Sequence, residues 1–133
     1  MIRLVPLFVV PLYASGRWRS DIDSDGMDVA CGMLQATQRL PVRAGGHERN
    51  RPTVGHATAF DWDTRHLLGD LYVDPATIER IDSGELRGSS LGIKWDTDAC
   101  GYLIDHVALV GRGAVTGLST LQHILATMRG NQP

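Results

Sequence analysis

A serine hydroxyl is a weak nucleophile until a base takes its proton, and that base works best when a third group fixes its tautomer. Three residues of this chain have the types for those roles: Ser90, His47 and His106. Ser90 follows Gly88-Ser89 and precedes Leu91-Gly92-Ile93, a strand-like segment with small neighbours. His47 stands after Gly45-Gly46 in a polar loop just ahead of a strand. His106 lies inside the apolar run from Tyr102 to Val110, where a buried imidazole needs a hydrogen-bond partner. Two choices stay open on spacing alone. Ser89 adjoins Ser90, and neighbours on a strand face opposite ways, so one of the two can meet His47. Asp105 competes with His106 as the orienting group, and regular alternation puts it on the other face.

Other chemistry is less well supported. Asp21-Ile22-Asp23-Ser24-Asp25-Gly26 has the alternating carboxylates and glycine of the first half of a calcium loop. The position for its bidentate glutamate is Gly32, so Asp21, Asp23 and Asp25 are weak metal candidates, and a solvated turn capping the next helix is the simpler account. His47, His56, His66 and His106 come from separate segments without zinc-ligand spacing. Cys31 and Cys100 form no CxxC pair and have no basic neighbour, which suggests buried unpaired thiols rather than a reactive one. No cofactor is implied. A net charge of -2 gives no basic face for a phosphate backbone, so nucleic acid is not an expected partner.

The chain of 133 residues, 43% hydrophobic and 21% charged, fits one soluble domain over its whole length. Its apolar start could imitate a signal peptide, but Pro6 and Pro11 interrupt the run and only Arg3 is charged. We therefore read a strand from Leu7 to Tyr13, with neither membrane insertion nor secretion expected. Met27 to Gln38 has helical spacing and Pro41 ends it, and Arg43 to Pro52 is a polar loop. Val54–Trp62 and His66–Val73 read as a hairpin. Asp74-Pro75 opens a helix that runs to about Ser83. Leu86–Trp95 and Tyr102–Val110 read as two further strands, and Leu118, Leu121, Leu125 and Met128 space a final helix. The expected fold is mainly β with peripheral helices: a small, largely antiparallel sheet or barrel.

Three motifs add a resemblance. Leu40-Pro41-Val42-Arg43-Ala44-Gly45-Gly46-His47, followed by Thr53-Val54-Gly55-His56-Ala57, resembles the first histidine motif of the herpesvirus capsid maturation proteases (assemblins). Gly88-Ser89-Ser90-Leu91-Gly92 is similar to that family's nucleophile strand and to the Ser-x-Gly strand of tailed-phage prohead proteases. His106-Val107-Ala108-Leu109, then Gly111-Arg112, resembles the family's last histidine motif. The resemblance spans roughly residues 5 to 117, in order.

That resemblance implies a β-barrel of the herpesvirus-protease type and a Ser-His-His serine endopeptidase. Ser90 would be the nucleophile, His47 the general base, and His106 the residue in place of the usual aspartate. It favours Ser90 over Ser89 and His106 over Asp105, although the phage branch often has an acidic third member. Arg112 matches the turn whose backbone amide faces the oxyanion; Gly113 follows it where the family has a second arginine. Substrates would be scaffold and capsid-associated proteins inside an immature viral capsid, with a homodimer left open. The rival reading is a catalytically silent capsid or assembly protein that retains the protease fold.

Overall fold

The structure, a computed structural model, describes residues 3–15, 24–98, 100–111 and 119–130. It is mainly β, with three short helices on a curled six-stranded half-barrel sheet. The strands are β1 (Val5–Ala14), β2 (Leu40–Ala44), β3 (Thr53–Trp62), β4 (His66–Val73), β5 (Gly88–Asp96) and β6 (Gly101–Val110). Their order across the sheet is β1-β4-β3-β2-β6-β5. Every neighbouring pair is antiparallel except β2 and β6, which run parallel. The sheet is therefore mixed, not purely antiparallel, and β1 and β5 are its edges.

Alternation explains the strands that sequence patterning finds. In β4, Leu67, Gly69, Leu71 and Val73 are buried while His66, Leu68, Asp70 and Tyr72 face outward, the period of two that a one-sided sheet imposes. Pro6 and Pro11 fall in edge strand β1, where a missing N–H is tolerated. β1, β3 and β5–β6 carry register irregularities, and Val9 and Ala59 at two of them have φ of 55°. Such bulges bend and twist the strands locally, which curls the sheet.

Two expectations are corrected here. The helix α1 spans Ser24–Gly32, starting earlier and ending sooner than the Met27–Gln38 spacing suggests. Residues 40–44, taken in part as a loop, form β2. Proline is accommodated at Pro41 because β6 pairs with β2 only from Val42 onward, leaving one flank of Pro41 without a strand neighbour.

Helix α2 (Pro75–Asp82) starts as its sequence dictates. Asp74 Oδ1 accepts from the Thr77 N–H at 2.8 Å, and Pro75 fills the first turn. Helix α3 (Leu121–Gly130) buries Leu121, Ile124 and Leu125 and packs on β1. Leu118, expected in the same stripe, lies outside the described residues. The core is one cluster that includes Leu7, Leu12, Tyr13, Met27, Leu71 and Leu109. Trp62 packs on its margin against Tyr13, whereas Trp95 is exposed and meets Tyr102 edge-on; Trp18 falls outside the described residues. Among the described residues, no helix is long and apolar enough to cross a membrane.

Candidate active site

Two adjacent strands, and the loop that follows a third, deliver the three side chains. Ser90 is on β5 and pairs with Ala108 of β6; Gly92, two residues on, pairs with His106. Residues two apart on a strand share a face, so Ser90, Gly92, His106 and Ala108 form one patch. Parallel pairing of Val42, Arg43 and Ala44 with Val107, Ala108 and Leu109 then carries the end of β2 alongside β6.

The loop after β2 turns His47 back over that patch. Gly45, at φ 96°, takes a backbone conformation that L side chains rarely adopt, and its N–H donates to Leu109 O at 2.8 Å. The Arg43 guanidinium donates to His47 O at 2.9 Å and fastens the loop from the other side. Sequence reading passed over Arg43 because its role depends on a local fold in which the loop closes back on the strand.

The resulting geometry is a continuous chain of short contacts. His47 Nε2 lies 2.8 Å from Ser90 Oγ. His47 Nδ1 lies 2.7 Å from His106 Nε2, with the rings edge-on at 67°. Ser90 and His106 are each 6% exposed, so both are held inside the sheet surface, while His47 closes over them from the solvent side. Ser89, the adjacent hydroxyl, pairs with Leu109 and belongs to the opposite face.

Asp105 requires a correction. Alternation would send its carboxylate away from His106, yet Asp105 Oδ1 lies 2.6 Å from His106 Nδ1. The cause is a register shift: Gly92 pairs with His106 and Ile93 with Ile104, leaving Asp105 as an extra residue in β6. A bulge of this kind breaks the alternation and re-aims the side chain. Asp105 and His106 are therefore not alternatives but successive members of one chain. The signal that could have found this, an insertion in one strand of a pair, is invisible until the pairing is known.

Gly92 is the other residue that sequence reading missed. A Cβ built there would overlap three atoms of the His106 ring, so the imidazole lies directly on the glycine backbone. Only glycine gives the ring a floor at that depth.

The electrostatics suit a neutral base. Burial of the bonded edge of the ring pushes the His47 pKa below its ordinary 6.5, helped by the neighbouring His106 and Arg43 and opposed by Glu48 and Asp105. Cys31 behaves differently: burial, reinforced by Asp28, pushes its thiol up to about 12, which makes it inert. Cys100 is exposed, contrary to the expectation of two buried thiols, and neither cysteine is in a disulfide.

Arg112, Asp21 and Asp23 lie outside the described residues, and Asp25 falls in the first turn of α1. His56 stacks on Tyr72, and His66 faces Asp63 at 3.9 Å. Among the described residues, no group of three or more His, Cys, Asp or Glu side chains could hold a metal ion.

Comparison with protein families, curated proteins and solved structures finds no match. Any chemistry assigned to the chain thus rests on this geometry and on the motifs that led to it. What the arrangement can do is plain from its contacts: a hydroxyl with a base in hydrogen-bond reach, and a base whose second nitrogen is held.

Proposed function

We propose that the chain is a serine endopeptidase in which Ser90 attacks a peptide carbonyl and His47 moves the proton. The observation that carries this reading is the pair of contacts at His47, 2.8 Å to Ser90 Oγ and 2.7 Å to His106 Nε2. Ser90 forms the bond to the acyl carbon as its proton passes to His47 Nε2; His47 then gives that proton to the departing amine. Water, deprotonated by the same imidazole, releases the acyl group and restores the serine. A neutral imidazole in third place stabilises the developing imidazolium less than a carboxylate does, which favours slow turnover. The oxyanion donor assigned to the Arg112 turn belongs to the same reading.

The narrower assignment rests on the ordered motifs around His47, Ser90 and His106, which resemble the herpesvirus and tailed-phage capsid proteases. On that basis the fold is a half-barrel variant of the herpesvirus-protease type. Its substrates are scaffold and capsid-associated proteins in an immature viral capsid.

Labelling with a fluorophosphonate, followed by intact mass and peptide mapping, tests the nucleophile without knowledge of the substrate. A single adduct on Ser90, absent from Ser90→Ala, is the expected result. No adduct on folded, concentrated wild-type protein would replace this reading with that of a silent capsid or assembly protein. The pH dependence of labelling supplies a second check. Since the His47 pKa is lowered, the base stays neutral into more acidic solution, and the acid limb of the rate should lie below pH 6.5. The same shift bears on stability: the unfolded chain binds this proton more readily, so stability from His47 is complete above 6.5 and is lost as pH falls towards the folded value.

A further inference from the structure

We infer that Asp105 sets the direction of a four-membered proton chain, Asp105–His106–His47–Ser90, and is a positioning residue for the base. The inference rests on the proposed roles of Ser90 and His47, and it follows from counting donors and acceptors along the contacts. An ionised carboxylate only accepts hydrogen bonds. With Asp105 Oδ1 at 2.6 Å, His106 Nδ1 must carry the proton. A neutral imidazole has one donor and one acceptor, so His106 Nε2 is left as an acceptor. Its partner at 2.7 Å, His47 Nδ1, must then donate. That leaves the lone pair of His47 on Nε2, 2.8 Å from Ser90 Oγ, where a general base needs it.

Two linked histidines have no such preference by themselves. Protonating His106 on Nε2 instead reverses every bond: His106 donates to His47 Nδ1, and His47 then points an N–H at Ser90. The base is disabled with no heavy atom displaced. The carboxylate removes this degeneracy, and it also places a negative charge at the far end of the chain when His47 becomes an imidazolium. The bulge in β6 is what makes this possible, because in a regular strand Asp105 would face away.

Asp105 remains reachable. Its side chain is 35% exposed, and it lines a cavity of about 290 Å³ together with Lys94, Arg39, Leu103 and Pro41. A small carboxylate can enter there from solvent and stand in for the missing side chain.

The decisive readout is the tautomeric state of the histidines, read by nitrogen-15 NMR of histidine-labelled protein at a pH where His47 is neutral. Wild-type protein should show both His47 and His106 protonated on Nδ1; finding His106 protonated on Nε2 would overturn the inference without any variant. In Asp105→Ala the preference should vanish, His47 should populate its Nε2–H form, and fluorophosphonate labelling should slow roughly 10²-fold. Formate should restore part of that rate in Asp105→Ala and leave wild type unchanged, which a merely structural role would not produce. Wild-type tautomers and wild-type labelling in Asp105→Ala would sink the idea. If wild-type protein shows the expected tautomers but Ser90 is never labelled, the directed chain stands and the endopeptidase reading falls.

Discussion

Replacing His47 by alanine is expected to abolish fluorophosphonate labelling of Ser90 while leaving the fold intact. His47 is on the solvent side of the site, in a loop, and contributes nothing to the core cluster. Its loss therefore deprives Ser90 of its proposed proton acceptor, 2.8 Å away, without opening a cavity. In a hydrolase that uses one imidazole as base, that deletion removes nearly all the catalysis that nucleophile and base supply together. The rate of acylation should drop by at least roughly 10⁴-fold. The thermal midpoint, read by circular dichroism, should stay within about 2 °C of wild type, because water from the solvent side takes over the bonds that His47 made to Ser90 and His106. A His47→Ala protein that labels at the wild-type rate would remove His47 from the mechanism. A midpoint lowered by much more would show that the loop holds β2 in place.

A single methyl group should do comparable damage from below. In Gly92→Ala the new Cβ occupies the volume of the His106 imidazole, so the ring must tilt out or β5 and β6 must separate. Overpacking of this kind costs about 1–3 kcal/mol. Tilting the ring also breaks its bonds to His47 and Asp105, and buried polar groups left unpaired add about 1–3 kcal/mol more. A total near 3 kcal/mol lowers the thermal midpoint by about 10 °C in a chain of this size. Labelling of Ser90 should be lost in the same variant. The cause can be separated from general damage by removing the ring. Gly92→Ala combined with His106→Ala should recover most of the midpoint and none of the labelling, a coupling expected only if the two side chains compete for one space. Wild-type labelling in Gly92→Ala would show that the imidazole has room elsewhere.

Much of this architecture is legible in the residues. The second strand of the β3–β4 hairpin is plain because Leu67, Leu71 and Val73 keep strict alternation just after the Asp63-Thr64 turn. Helix α2 announces itself through Asp74 and Pro75, whose preferences are local. Strand β2 is harder to read, since its five residues include a proline and its ladder to β6 joins segments far apart in sequence. The site follows the same division. Ser90, His47 and His106 stand out by residue type and by motif. Their convergence depends on β2 pairing in parallel with β6, which no local signal encodes. Asp105 and Gly92 depend on register. One residue more in β6 than in β5 decides where a carboxylate points, and a glycine among other small residues shows no purpose until a ring is seen resting on it.

The parallel pairing has a consequence for time as well as for geometry. His47 and Ser90 are 43 positions apart in the chain, and His47 and His106 are 59 apart. Contacts across such separations close late, because a large loop must be ordered before they form. The hairpin of β3 and β4 and the pair of β5 and β6 can assemble locally, yet neither alone brings a base to Ser90. If Ser90 is the nucleophile proposed above, the chain carries a built-in delay: the serine has no base beside it until the long-range closure that completes the sheet brings His47 to it.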